Sequence, residues 1–177
     1  MCVKNTDTAN IETKGYCWYK STNGIKRHLL VDVLGNPYFV CCTKASVSDD
    51  DGLLEMISEN KQYFLNLPIR QTITILLDNG YHKEHLEREI EKIEPMLSER
   101  VKIEIAEKIT PKRRAAAVAE GSVKKGFVVI KWRWVVERTN AWINQCRSLW
   151  KNCEGLLATS ETKIRICAIR LILRRMV

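Results

Sequence analysis

The sequence predicts an α/β domain in which helices cover a mixed β-sheet. Three observations predict this class: two neighbouring segments rich in apolar and β-branched residues, a short and largely apolar run in mid-chain, and helical segments between and after them. A chain of 177 residues is long enough for one domain with a full hydrophobic core and too short for two domains of ordinary size. We therefore expect a single domain over 1–177.

The first two segments predict a β-hairpin. Its strands are expected at 25–34 (IKRHLLVDVL) and 38–43 (YFVCCT), with a Gly-Asn-Pro turn at 35–37 between them. Ser48 and the three aspartates after it offer an N-cap oxygen and negative charge to the start of a helix. We expect that helix to run on toward Tyr63.

The rest of the chain continues the alternation of strands and helices. The run at 72–77 (TITILL) is typical of a strand buried on both faces, as in the middle of a sheet. A helix at 82–96 and a further strand at 101–105 (VKIEI) follow. Beyond them we expect a basic loop and two closing helices, at about 108–125, 131–151 and 161–176.

Positive charge is concentrated in the second part of the chain. The net charge of +8 divides into −3 for residues 1–100, with 12 Lys and Arg against 15 Asp and Glu, and +11 for residues 101–177, with 17 against 6. This asymmetry indicates a polyanionic partner on one side of the molecule. A solvated basic surface without a partner would have the same composition.

Several protein classes are disfavoured by what the sequence lacks. It contains no apolar run of about 18 residues and no apolar stretch at its start, so we expect a cytoplasmic protein with no membrane partner. The seven cysteines are odd in number and include no C-x-x-C pair, which predicts reduced thiols. His82 and His85 have no partner pair at metal-ligand spacing, which argues against a zinc site.

Two acidic residues occupy positions that suit catalysis. Asp78 follows the predicted buried strand, at the sheet edge where reacting groups gather, although Asp-Asn-Gly is also ordinary turn chemistry. Glu137 lies in the helix expected at 131–151, where the alternative is an ion pair with Arg133 on a solvated face. For Asp32, beside the hairpin turn, we favour a structural role.

The helical period divides the helix expected at 131–151 into two faces. One carries cations and amides, with Arg133, Glu137, Asn140, Asn144, Arg147 and Lys151. The other is apolar, with Trp132, Val135, Trp142, Cys146, Leu149 and Trp150.

Three blocks of sequence carry a resemblance to a known family. They are KRHLLVD at 26–32, LDNGY at 77–81, and RWVVERTNAW at 133–142, which GFVV at 126–129 precedes. Together they resemble bacterial insertion-sequence transposases of the DDE class, and the resemblance covers essentially the whole chain. The last block is the most specific, because an arginine precedes the glutamate by four positions on a helix.

The resemblance implies an RNase H-like mixed sheet flanked by helices, with further helices at the C-terminal end, in which two aspartates and one glutamate hold divalent ions. Asp78 resembles the second aspartate and Glu137 the closing glutamate. Arg133 resembles the arginine of the family's Y-x-x-R-x-x-x-E signature, which contacts transposon-end DNA. The chain departs from the signature at Ile130, which replaces the tyrosine, and at Asn144, which replaces a lysine.

The implied cofactor is Mg²⁺ or Mn²⁺, because two ions can activate an attacking oxygen and stabilise a leaving one during cleavage of transposon ends and strand transfer. The implied partner is DNA, both transposon ends and target, with a second copy of the chain as a further partner. The cations expected to contact phosphate are Arg133, Arg147, Lys151, Lys112, Arg113 and Arg114.

The resemblance also implies a first strand that ends in an aspartate shortly before a Val-Lys pair such as Val3 and Lys4. Here that strand is largely missing, and Asp7 lies beyond its place. We therefore expect a domain truncated at its start, without the N-terminal helical domain that binds transposon ends, and inactive until the missing aspartate completes the two-ion site. The alternatives are a non-catalytic DNA-binding remnant and a small basic RNA-binding protein, for which no signature such as exposed stacking aromatics is apparent.

Overall fold

The computed structural model describes residues 1–6, 13–68, 70–106 and 133–176. The basic loop predicted at about 108–125, which contains Lys112, Arg113 and Arg114, lies outside these residues. The side chain of Arg133 also lies outside the described part.

The described strands form two sheets, and their bounds are β1 Cys2–Lys4, β2 Gly15–Cys17, β3 Thr22–Val31, β4 Pro37–Lys44, β5 Ile73–Leu77 and β6 Val101–Ile105. In the first sheet β1, β2 and β4 all pair antiparallel with β3. Gly24 of β3 has Lys4 of β1 and Gly15 of β2 as partners, so β1 lies on one edge of β3 and β2 on the other, in line with β4. The second sheet consists of β5 and β6 in parallel.

The helices have the bounds α1 Asp49–Glu59, α2 Lys61–Leu65, α3 Lys83–Ile93, α4 Pro95–Arg100, α5 Arg133–Asn144 and α6 Leu157–Met176. The N-cap predicted for α1 is confirmed, since the amide of Asp51 donates to Oγ of Ser48 over 3.0 Å. The single helix expected at 82–96 is divided at Glu94, because Pro95 disfavours helical backbone in the residue before it.

Two apolar cores hold these elements together. The first joins α1 to α4 with one face of β5 and β6, and its buried members include Ile57, Phe64, Ile75, Leu86 and Leu97. The second joins β1, β3 and β4 with α5 and α6, and its buried members include Ile25, Val40, Ile143, Leu149 and Ile164. The α/β class predicted from the sequence is thereby confirmed.

The prediction that β5 is buried on both faces was wrong. Ile75 is buried, but Thr74 is exposed and Leu76 retains 41% of its accessible surface. The strands expected in one mixed sheet are also divided between two sheets. Thr74 and Leu76 line a groove between β3 and β5, and among the described strands none joins the two sheets by hydrogen bonds.

All seven cysteines are free, and Cys17, Cys41, Cys42 and Cys167 are buried. None of the described helices combines the length and the apolar character that a membrane span requires.

Candidate functional site

A groove of about 990 Å³ lies between the two sheets. One wall is β3 from Arg27 to Val31, the opposite wall is β5, and α5 contributes Val136, Glu137 and Asn140. Asp78, the residue after β5, lines the same groove. The structure thus brings the two acidic residues singled out in the sequence to one cavity.

Asp78 ends β5 in the tight turn that its sequence predicts. Its Oδ1 accepts a hydrogen bond from the amide of Gly80 over 2.8 Å, and the side chain as a whole is exposed. This bond orients the carboxylate relative to the strand. The turn role therefore exists alongside the position at the groove.

Glu137 lies on α5. The buried residues of this helix differ in part from the apolar face that the sequence predicted. The buried residues of the helix are Val135, Thr139 and Ile143, at four-residue spacing, and the hydroxyl of Thr139 donates to the carbonyl of Gly35 over 2.6 Å. Glu137 is exposed on the groove side. One turn further, Oδ1 of Asn140 is buried and accepts no hydrogen bond from the part of the chain that the structure describes.

The tryptophans of the predicted apolar face are not its buried members in the described residues: Trp142 is half-buried and Trp150 keeps 67% of its accessible surface, whereas Val135 and Leu149 are buried as predicted. Trp132 lies outside the described residues, and Trp134, which was not assigned to that face, is 46% exposed. The guanidinium of Arg138 lies between the rings of Trp134 and Trp142, at 4.3 and 4.6 Å from their centroids. Arg138 also donates to the carbonyl of Leu34 over 2.7 Å, and this hydrogen bond joins α5 to the hairpin turn. The cation–π contacts lie within α5 and hold the guanidinium in position.

Arg147 and Lys151 do not continue the face of Glu137 as expected. α5 ends at Asn144, and Arg147 begins a separate 3-10 turn that ends at Leu149. The ammonium of Lys151 stacks on the ring of Trp150 at 4.4 Å. Neither cation is among the described residues that line the groove, so any contact with DNA would lie outside it.

Asp32 has the structural role that we favoured. Its Oδ1 accepts from the amides of Leu34 and Asn36 over 2.9 and 2.8 Å, and its Oδ2 from Nδ2 of Asn36 over 2.9 Å. Partial burial raises the pKa of Asp32, but the hydrogen bonds from Asn36, Leu34 and Gly35 outweigh it, so the pKa lies below its ordinary value. The carboxylate fixes a turn in which Gly35 has a φ of 82°, a region that favours glycine.

Replacing Asp32 with alanine is expected to lower the free energy of unfolding by about 1 kcal/mol, because the turn loses charge-assisted hydrogen bonds at a half-buried position. Urea titration at neutral pH measures this change. Binding of Mn²⁺ by the folded variant should be unchanged, and a loss of binding would show that Asp32 is a metal ligand instead.

The groove is also lined by the acidic residues Asp32, Asp49 and Glu104. In the described part of the chain, no third His, Cys, Asp or Glu forms with Asp78 and Glu137 a group whose ligand atoms all lie within 4.8 Å of one another. There, the group of three such residues with ligand atoms within 4.8 Å of one another is Cys41, Glu59 and Glu161, outside the groove. Burial raises the pKa of both Cys41 and Glu161. Glu161 is already engaged, since it accepts a hydrogen bond from the amide of Cys42 over 2.8 Å.

Exposed aromatic side chains, which we did not expect, occur next to β2. Trp18 and Tyr19 keep 85% and 96% of their accessible surface. The absence of exposed stacking aromatics was therefore a wrong argument against the RNA-binding alternative. That alternative still has no use for two carboxylates in one groove.

Comparison with known proteins adds an independent observation. The family described as Transposase DDE domain matches residues 3–172. A protein assigned as the transposase for insertion sequence element IS402 of Burkholderia cepacia is 29% identical over 130 residues, which are 71% of this chain and 52% of that protein. The chain spans about half the length of this curated relative. No solved structure matches the chain significantly. Because the family match covers nearly all of the sequence, the chain belongs to the Transposase DDE domain family.

Proposed function

We propose that this chain forms the catalytic part of a DNA transposase that cleaves transposon ends and joins them to target DNA. The observation that carries the proposal is that Asp78 and Glu137 line one groove, in a chain of the Transposase DDE domain family. Asp78 follows a strand that packs in the first core, and Glu137 lies on a helix that packs in the second. Their position at one groove therefore depends on the tertiary fold.

The donor atoms at this groove suit a hard divalent cation. Asp78 and Glu137 offer carboxylates, and Asn140 offers a buried amide oxygen that accepts no hydrogen bond within the described residues. Mg²⁺ and Mn²⁺ prefer such oxygen ligands. We propose that Asp78 and Glu137 hold the ion, with Asn140 beside them.

A bound pair of such ions would activate the attacking oxygen and stabilise the leaving oxygen of a phosphodiester. The chain itself contributes the positions of the two carboxylates. Asp78 is oriented by the amide of Gly80, and Glu137 stands on a helix fixed by Thr139 and Arg138. Carboxylates held in this way by rigid elements lose little conformational freedom when they take up a cation.

We propose that a third carboxylate comes from outside the described residues, since none of these completes a three-ligand group with Asp78 and Glu137. The test is an extended chain that carries, before Met1, a short strand with one aspartate. We expect Mn²⁺-dependent nicking or joining of DNA that contains the cognate ends. An extended chain that is folded, binds DNA and leaves it intact with either ion would contradict the proposal.

A second candidate function is DNA binding without catalysis, which the charge of +11 in residues 101–177 favours. Its test compares the chain with and without the extension. Tight binding at low salt by both, with no cleavage by either in Mn²⁺, would support this reading, and cleavage by either chain would contradict it.

Both candidates predict steeply salt-dependent DNA binding. Replacing Arg147 or Lys151 with alanine is expected to reduce the slope of log K against log salt by about 1, because each cation releases one condensed counterion when it meets a phosphate. Fluorescence anisotropy between about 50 and 200 mM salt measures the slope. Lys83→Ala is the matched control, since Lys83 pairs with Glu87 in the acidic half of the chain. Equal slopes in all variants would place the phosphate contacts elsewhere.

A further inference from the structure

The connection between β2 and β3 carries three exposed aromatic side chains. Tyr16 is the middle residue of β2, and Trp18 and Tyr19 begin the 3-10 turn that follows it. Trp18 and Tyr19 are almost fully exposed, and Tyr16 keeps 39% of its accessible surface. None of the three belongs to either apolar core. We call residues 16–20 the aromatic turn, and core packing does not account for its composition.

The base of the aromatic turn is fixed to the sheet. Cys17 is buried and pairs with Thr22 at the start of β3. One residue before the turn, a Cβ at Gly15 would lie 2.7 Å from the backbone nitrogen of Ala45, so β2 packs closely on the chain that follows β4. The exposed rings therefore project from a paired strand and not from a free loop.

The rings form separate flat surfaces. The ring centroids of Tyr16 and Trp18 lie 5.0 Å apart with an interplanar angle of 82°, a contact that orients Trp18 and covers at most one of its faces. Successive residues of a 3-10 helix diverge by about a third of a turn, so Tyr19 points away from Trp18. Two aromatic faces at neighbouring positions of the chain are therefore open to flat ligand groups.

The charge around the aromatic turn is positive, although residues 1–100 as a whole carry a net charge of −3. Residues 13–31 contain Lys14, Lys20, Lys26 and Arg27 and no Asp or Glu. Lys26 pairs with Asp49, and Arg27 is buried. Lys14 and Lys20, at the two ends of the turn, form no ion pair within the described residues. Both cations can therefore meet an anionic partner.

We infer that the aromatic turn binds unpaired nucleotides of single-stranded DNA. Bases stack on Trp18 and Tyr19, and the phosphates of the strand contact Lys14 and Lys20. Because every base offers a flat face, this mode of binding needs no particular sequence. The choice of DNA over RNA rests on the proposed function, but the aromatic turn does not line the groove and uses neither of its two carboxylates.

A protein partner fits the aromatic turn less well. The core of a protein interface is a continuous apolar patch, in which aromatic side chains are surrounded by others that exclude water. Along the chain the turn is bordered by Lys14 and Gly15 on one side and by 21–23 (STN) on the other, so the exposed apolar surface there consists of aromatic rings alone. Isolated rings beside cations are typical of single-strand binding, where each base supplies the other half of the apolar contact.

A binding experiment with the 177-residue chain in EDTA tests this inference. The probe is a fluorescein-labelled strand of twelve thymidines, and fluorescence anisotropy measures its dissociation constant. Trp18→Ala and Tyr19→Ala are each expected to weaken binding by about 5- to 100-fold, because each removes a stacking surface, and Trp18→Phe should weaken it less. Met96→Ala, which removes a large exposed side chain from α4, is the matched control and should bind within about twofold of the natural chain.

A strand of twelve abasic sites separates stacking from charge, because it keeps the phosphates and lacks the bases. The natural chain is expected to bind it at least about tenfold more weakly than the thymidine strand, and this ratio should fall to about 1–2 when Trp18→Ala and Tyr19→Ala are combined. Equal binding of both strands by the natural chain, or alanine variants that bind thymidine as Met96→Ala does, would overturn the inference. Tighter binding of a uridine RNA strand would assign the turn to RNA and would overturn it as well. Neither cleavage nor a metal ion enters the measurement, so its outcome is independent of the chemistry proposed for the groove.

Discussion

Replacing Asp78 with asparagine or Glu137 with glutamine is expected to lower the rate of Mn²⁺-dependent DNA nicking by at least about 1000-fold, or about 4 kcal/mol of activation free energy. Each change keeps the size of the side chain and removes the negative charge that holds a divalent cation at the groove. The measurement is the initial rate of nicking by the extended chain that carries an aspartate before Met1. Either substitution alone should suffice, because the two carboxylates act on the same ions and their effects are not additive.

Two matched substitutions serve as controls. Glu99 is exposed on α4, and Asp51 is exposed at the start of α1, so Glu99→Gln and Asp51→Asn remove the same charge away from the groove. Both should nick DNA within about threefold of the unsubstituted chain, since surface changes seldom disturb a distant site. If Asp78→Asn and Glu137→Gln behave like these controls, the groove is not the catalytic site.

Much of the fold was predictable because local chemistry decides it. The turn at 35–37, the Ser48 cap and the strand at 101–105 depend on residues within a few positions of each other. The end of α5 was not predictable in this way. Sequence periodicity continues past Asn144, but the chain leaves the helix there and a separate turn places Leu149 in the core.

The resemblance pointed to the candidate site residues Asp78 and Glu137 one at a time. That both line one groove depends on two separate cores, which the sequence does not reveal. The run at 72–77 contains Thr72 and Thr74, and the alternation of Thr74 with Ile73 and Ile75 is typical of a strand with one solvated face, so the prediction of two buried faces gave these threonines too little weight. The cation–π contacts of Arg138 with two tryptophans were missed for a related reason: a helical wheel assigns tryptophan to the core, although its ring can also bind a cation at the surface.

The second large effect is expected from pH, through a buried histidine that has no role in the proposed chemistry. The ring of His28 is 6% exposed, and its Nε2 lies 2.9 Å from Oγ1 of Thr43. It packs so closely on α1 that a Cβ at Gly52 would lie 2.2 Å from its Cε1, so α1 excludes water from that side of the ring. Burial lowers the pKa of His28 to about 4, the ammonium groups of Met1 and Lys26 act in the same direction, and Asp49 opposes them.

This lowered pKa makes the fold sensitive to mild acid. In the unfolded chain His28 takes up a proton as the pH falls below about 6.5, whereas in the folded chain it stays neutral until about pH 4. Between these values the unfolded state binds more protons, so the free energy of unfolding falls as the pH falls. The loss due to His28 is expected to reach about 3 kcal/mol near pH 4, a large part of the stability of a domain of this size.

Urea titrations at pH 7.5 and pH 4.5, on the natural chain and on His28→Gln, isolate this effect from that of the carboxylates. The variant should be less stable at pH 7.5, because glutamine fills the site imperfectly, but it should lose less stability on acidification by about 2–3 kcal/mol. Direct titration of the His28 ring by NMR provides a check that does not depend on the folding of the variant. A ring pKa near 6.5 in the folded chain, or equal acid sensitivity of both proteins, would show that His28 is hydrated and that the contact of β3 with α1 is looser than its close approach to Gly52 implies.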